Sequence, residues 1–437
     1  MGTLYKITMK YIFNSIFFYL SFIFLISRVD SCSNSKPRSS SNSNLSHIYK
    51  TEQNILHPKF AIFHRTNTTS ELHFKVNSKE LLYSKQAGSE NFTAHISIHY
   101  KLISSYETKD IIDSSTVDLT DPYSKTPKDL IGKIDFSANF TNSYVLEIDF
   151  SDLNRNVTDK AFITVDKMDH NTRQNFLVLS AENKSPIFKN TIGKNEKIII
   201  RYRKSDTKVF VRYYHRDFPL PSLPFSYSNM IPFDYRADSL FTLQLDEKDT
   251  AGIVFKKQGF YHIQADTNTK DGLTLFRFYD EFPNVKTPEQ LLKPLRYLTT
   301  KQEYDAMSSN KNLKAAVDSF WLSIGGSTDR GRELVKKFYN RVQNSNTYFS
   351  SYLEGWKTDR GLIYLIYGPP NVVYKNTDSE NWVYGVENNP NSLTFPFIKV
   401  INPFTDKDYR LDRSQLFKTS WYNSVEAWRQ GKIYSEK

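Results

Sequence analysis

The chain has 437 residues and a formal net charge of +11, and 39% of its residues are hydrophobic. That length exceeds one compact core and calls for two or three domains, and so much apolar material excludes general disorder. Lys and Arg are interspersed with acids rather than gathered in a block. The charge therefore argues for a solvated surface near anionic lipid or polysaccharide and against a nucleic-acid groove. The single cysteine excludes an internal disulfide and a cysteine-built metal site. Neither Cys nor His follows His262, which removes most nucleophile–base pairs and transition-metal sites from the last third. No cofactor and no metal are expected.

Lys6 and Lys10 precede an apolar run from Tyr11 to Ile26, long enough for a signal-peptide core and short for a bilayer span. Cys32 follows, with the small Ser31 before it and a Ser/Asn tract after it. Residues 1–31 read as a signal peptide, Cys32 as an acylated first residue, and 32–50 as a polar tether. Arg28 and Asp30 depart from the apolar and small residues usual before such a cysteine. An uncleaved anchor helix is the alternative. Both readings attach the chain to a membrane of the cell envelope, at the outer membrane or the periplasmic face.

Two β-rich stretches come next. Leu72, Phe74 and Val76 alternate, as do Ile96, Ile98 and Tyr100, then Leu146, Ile148 and Phe150. Period-two alternation gives one buried and one wet face, so 51–170 is expected to be an antiparallel, immunoglobulin-like β-sandwich. Ile198, Ile200 and Tyr202, then Val209, Val211 and Tyr213, repeat the habit, making 171–285 a second β module. Phe218-Pro219-Leu220-Pro221-Ser222-Leu223-Pro224-Phe225 cannot be a central strand and reads as an extended crossover.

From 286 to 437 the period changes, and an α+β domain is expected. Thr300 and Glu303 form a capping box before one helix; Leu313, Val317, Phe320 and Trp321 mark a second, and Leu334, Phe338 and Val342 a third. Leu362–Tyr367 reads as a central strand ended by Gly368-Pro369-Pro370. Strands centred on Val372–Tyr374, Trp382–Tyr384, Thr394–Val400 and Tyr409–Leu411 follow. A last helix holds Trp421, Val425 and Trp428. The whole is multidomain: mostly β at the N-terminal side, α+β at the C-terminal side.

One motif stands out: Gly355, Trp356, Thr358 and Asp359, continued by Arg360-Gly361 and the Gly368-Pro369-Pro370 turn. This segment resembles the GWxTD domain, a family of uncharacterised envelope-type proteins known mainly from Bacteroidetes and related bacteria. The resemblance runs closely from about Phe282 to the C-terminus, more loosely from about Asn175, and implies no activity. Physically, Gly355 and Gly361 bracket a loop that can use positive φ, and Asp359 can accept hydrogen bonds from that loop. Arg360 can meet a carboxylate, and Trp356 can plug a helix–sheet junction. The motif is either a structural latch or a binding site. The leading expectation is a non-catalytic binding or scaffold lipoprotein with an envelope protein or polysaccharide as partner. The alternative is a hydrolase of an envelope polymer that pairs Asp359 with Glu354 or Glu380.

Overall fold

The computed structural model describes residues 44–50, 54–85, 88, 91–108, 110–227, 233–245, 252–387, 389–390 and 392–433. The expected signal peptide, the acylation site at Cys32 and most of the tether lie outside the described residues.

The first β module stacks two antiparallel sheets. One orders β1 (Lys59–His64), β2 (Thr69–Asn77) and β6 (Asp129–Ser137) side by side. The other is built on β4 (Phe92–Ile103), with β5 (Ile111–Pro122) on one edge and β7 (Ser143–Asp152), then β8 (Val157–Asp166), on the other. The short β3 (Ser84–Lys85) pairs with the start of β4. The alternating residues meet between the sheets: Leu72, Ile98, Leu146, Ile148 and Phe150 are all fully buried.

The second module pairs β9 (Phe176–Ser180) with β10 (Ile198–Tyr202). Its larger sheet has the order β12 (Ser239–Leu245), β11 (Thr207–Tyr214), β13 (Gly259–Gln264), β14 (Leu273–Arg277). Ile198, Val209, Val211, Ile263 and Leu275 form its core. Strands β13 and β14 have no wet face, since every residue of Phe260–Gln264 and Leu273–Arg277 is buried. One face meets that core. The other carries Phe260 and Phe276, which cluster with Tyr214 of β11 and with Phe404 of the C-terminal domain, Phe404 lying edge-on to Tyr214 and Phe260.

The C-terminal domain is helical, then sheet. Helices α1 (Pro288–Leu292), α2 (Lys301–Ser308), α3 (Leu313–Gly325), α4 (Thr328–Phe349) and α5 (Asp359–Tyr367) precede the antiparallel meander β15 (Val372–Lys375), β16 (Ser379–Tyr384), β17 (Leu393–Lys399), β18 (Tyr409–Leu411). Helix α6 (Phe417–Arg429) closes the domain. The α2 capping box forms as the sequence suggests: Thr300 Oγ1 accepts from Glu303 N at 3.2 Å, and Glu303 Oε2 accepts from Thr300 N at 2.8 Å. The stripe Leu334, Phe338, Val342 of α4 is wholly buried.

Leu362–Tyr367 is a helix, not the expected strand. All nine residues of α5 are buried, so burial imposes no period and the apolar run reads alike as helix or strand. Its ends decide. Thr358 Oγ1 accepts from Gly361 N at 3.0 Å, an N-cap. Gly368, with φ +86°, ends the helix.

Residues 44–50, assigned by composition to the tether, are part of the C-terminal domain's core. Leu45 N donates to Val373 O at 3.0 Å along the edge of β15, while Leu45 and Tyr49 are buried in the domain's main apolar cluster. A Ser/Asn-rich stretch carries little apolar signal, but its two apolar side chains are enough to seat it. The first module docks on the same domain. Glu107, in the β4–β5 loop, accepts from Thr377 N at 3.1 Å and from Thr377 Oγ1 at 3.0 Å. Arg173, between the β modules, pairs with Asp406 at 2.7 Å.

Candidate functional site

The motif occupies the turn between α4 and α5 and is almost entirely buried. Gly355-Trp356-Lys357 make one 3₁₀ turn; Thr358 caps α5, and Asp359, Arg360 and Gly361 are its first residues. The two glycines are needed for close approach rather than for positive φ, which neither adopts. A Cβ on Gly355 would stand 1.8 Å from the Ser345 carbonyl oxygen of α4, and one on Gly361 1.9 Å from the Gly355 carbonyl oxygen. Only bare backbone lets the turn lie against α4 and α5 lie against the turn. Trp356 is 2% exposed and fills this junction, edge-on to Tyr297, with Nε1 donating to Glu354 Oε2 at 2.6 Å. Thr358 also donates through Oγ1 to Gly355 O at 2.7 Å, tying the turn to the helix it starts.

Asp359 and Arg360 are adjacent and point to different parts of the protein. Asp359 was expected to accept from its own loop; instead it reaches the far end of the sheet. Its carboxylate accepts from Leu411 N at 2.8 Å and takes both ends of the Arg413 guanidinium, at 2.6 and 3.0 Å. This is a bidentate, charge-assisted pair in a buried setting. The same Arg413 Nη2 donates to Ser222 O at 3.1 Å, so Asp359 fixes the proline-rich crossover of the second module through one intermediary.

Arg360 lies between Tyr409 and Phe349, with ring centroids 4.1 and 5.1 Å away. Its Nη1 is 3.1 Å from both oxygens of Glu380, and its Nη2 donates to Lys407 O at 2.8 Å. Glu380, fully buried, also accepts from Tyr49 O–H at 2.9 Å and Trp382 Nε1 at 3.2 Å. Burial alone would favour its neutral form, but Arg360 and then Lys375 outweigh burial and hold the carboxyl below its usual range. Arg360 responds in the opposite sense: burial opposes its charge, Glu380 restores it, and its pKa lies above the usual value. Burial followed by the neighbouring Glu380 pushes the Tyr49 phenol well up, so it stays a donor.

The other end of α5 is held as firmly. Buried Arg341 of α4 donates to Leu365 O and Ile366 O at 3.2 and 2.8 Å, a cation against the helix's carbonyl end. Trp428 Nε1 donates to Ile366 O at 3.0 Å, and Tyr384 O–H to Gly368 O at 2.7 Å. Pro370 is buried and Pro369 partly so, leading the chain into β15.

Residues 259–430 match the GWxTD domain family model. That part of the chain is a GWxTD domain. No curated protein matches it. The matched stretch begins at Gly259, so it takes in β13 and β14, whose outer face is buried under Phe404 of the C-terminal part. A cleft of about 760 Å3 lies between Leu220–Leu223 of the crossover, Arg296–Thr300, and Trp421, Tyr422 and Val425 of α6, and Ser222 on its wall is the residue that Arg413 holds. Among the described residues no three His, Cys, Asp or Glu side chains gather as a metal-ion set. Among the same residues no helix is long and apolar enough to cross a membrane.

Asp359, Arg360, Glu354 and Glu380 stand out in the sequence, but Arg413 and Tyr49 do not. Arg413 lies 54 positions from Asp359, and Tyr49 lies 311 from Arg360, so no local pattern joins them. The one usable signal was Thr358 three residues before Gly361, an N-cap spacing that marks a helix start.

Proposed function

We propose that this GWxTD-domain protein is a non-catalytic binding or scaffold lipoprotein of the cell envelope, whose motif clamps its modules into one rigid body. The observation carrying this reading is that Asp359 and Arg360 are both consumed by buried contacts with distant parts of the chain. Asp359 reaches the second module through Arg413 and Ser222, and Arg360 reaches the N-terminal segment through Tyr49. A protein or polysaccharide partner would then meet a fixed surface, with the cleft beside the crossover as its first place of contact.

The alternative, a carboxylate-dependent hydrolase, finds less support. Glycan cleavage requires an acid with a raised pKa facing substrate. Glu380 is depressed and buried, Asp359 is bound to Arg413, and Glu354 is engaged by Trp356 and by Lys357 at 2.8 Å.

Two experiments test the proposal. Full-length protein is incubated with isolated envelope polysaccharide, and soluble fragments are measured by reducing-end assay. No release is expected; release abolished by Asp359→Asn or Glu380→Gln in a folded protein would replace the scaffold reading with the hydrolase. For the anchor, Cys32→Ser is expected to accumulate as precursor and to lose labelling by a fatty-acid probe. Normal processing of Cys32→Ser, with an unlabelled wild type, would remove the lipoprotein assignment.

A further inference from the structure

Residues 44–50 close a groove on the C-terminal domain. Its rim is the outer edge of β15. Leu45 N donates to Val373 O at 3.0 Å. The Asn44 carboxamide stands in for a further peptide group, accepting from Val373 N at 3.1 Å and donating to Asn371 O at 3.0 Å. A 3₁₀ turn, Ser46–Tyr49, then sets the Tyr49 ring in a slot walled by Tyr348, Phe349 and Trp382, with ring centroids 5.6, 5.1 and 5.1 Å away. At the floor of the slot the phenol donates to Glu380 at 2.9 Å and accepts from Arg360 at 3.2 Å.

Three observations set this segment apart from an ordinary piece of core. The rim, wall and floor residues just named all fall within 259–430, the stretch that matches the family model, whereas the segment falls outside it. The charges at the floor are satisfied without the segment. Glu380 keeps Arg360 at 3.1 Å and Trp382 Nε1 at 3.2 Å, and Arg360 keeps Lys407 O at 2.8 Å. Release therefore strands no buried charge. Finally, the segment's hold is slight. Leu45 and Tyr49 are its buried apolar side chains, with Ile48 partly buried, and the entropy of ordering residues 44–50 offsets much of what their burial contributes.

We propose that Asn44–Tyr49 is a displaceable strap over a peptide-binding groove, and that the groove's partner is a protein segment of the strap's own chemistry. Such a segment pairs its backbone beside Val373 and carries an apolar side chain with a tyrosine four positions on, as Leu45 and Tyr49 do. Adding a segment to an open strand edge, with a side-chain slot to select it, is a general mode of peptide recognition. The strap competes at the high effective concentration of a tethered ligand, so the groove stays closed until the strap is drawn off. This inference goes beyond the scaffold reading and does not depend on it. With the strap gone, Glu107 still holds Thr377 and Arg173 still holds Asp406, so the β modules stay docked.

Two measurements on the full chain test it. In the first, hydrogen exchange of wild type is followed at single amides. Leu45 and Val373, which hold the strap to the edge, are expected to exchange at least about tenfold faster than Leu362, which is bonded within α5. Equal rates would mean that the strap opens only when the domain unfolds, and would overturn the proposal. In the second, the variant Leu45→Asp/Tyr49→Ala is titrated against a fluorescent peptide of residues 44–50, with anisotropy as the readout. The variant is expected to bind the peptide saturably, and wild type at least about tenfold more weakly because its own strap competes. A peptide with alanine in place of the tyrosine should not bind. A folded variant that ignores the peptide overturns the proposal, and equal binding to both proteins does so too, since the peptide then sits elsewhere. A variant that fails to fold also overturns it, because a displaceable strap is not needed for folding.

Discussion

Replacing Asp359 with Ala removes the acceptor of three hydrogen bonds, from Leu411 N and from both Nη atoms of Arg413, whose side chain is 11% exposed. The methyl group leaves a guanidinium without its counter-charge and a backbone N–H without a partner. Removing one member of a buried ion pair costs about 3–5 kcal/mol, most of it from the stranded charge. If that account holds, removing Arg413 as well should relieve part of the loss. The double variant Asp359→Ala/Arg413→Met is then expected to cost less than the sum of the singles by roughly 1–3 kcal/mol. The chain has several cores, and a global unfolding curve would mix them. All five tryptophans, however, lie between Trp321 and Trp428, so tryptophan fluorescence during urea unfolding follows the C-terminal domain alone. A midpoint for Asp359→Ala equal to wild type, or strictly additive singles, would refute the clamp.

Gly355→Ala and Gly361→Ala should each destabilise the same transition more than Trp356→Ala, itself expected to cost about 3–5 kcal/mol, because each new Cβ would stand under 2 Å from a carbonyl oxygen; soluble, wild-type-like alanine variants would contradict the close approach. Tyr49→Phe deletes a hydroxyl that Glu380 accepts from, and should cost about 1–3 kcal/mol and speed proteolysis near residue 50 in the full chain; unchanged cleavage would mean the docked segment does not depend on that bond. Burial holds both His64 and His262 neutral, down from 6.5 to about 4. Between those values the unfolded chain binds protons that the folded chain refuses. Stability of the two β modules should therefore fall as pH drops from 6.5 to 4, by on the order of 3 kcal/mol for each histidine, and level off below. Far-UV melting curves of His64→Gln and His262→Gln, each expected to flatten this dependence, check the assignment.

What the sequence determined by itself follows from local periodicity and local chemistry. Alternation at Ile96–Tyr100 and Ile198–Tyr202 requires a sheet with one face buried, and the α2 capping box and the α4 stripe are complete within a few turns. The GWxTD motif was legible for the same reason, being short and contiguous. Tertiary structure alone decided three other features. Residues 362–367 became a helix because an all-apolar run carries no period, and its state depends on a cap and on Arg341 from another helix. Asp359 turned away from its own loop because a bidentate guanidinium, brought in by the last strand of the sheet, outcompetes backbone donors. The polar segment at Asn44–Lys50 became core because Tyr49 meets a carboxylate already held by Arg360, a meeting that only the folded chain arranges.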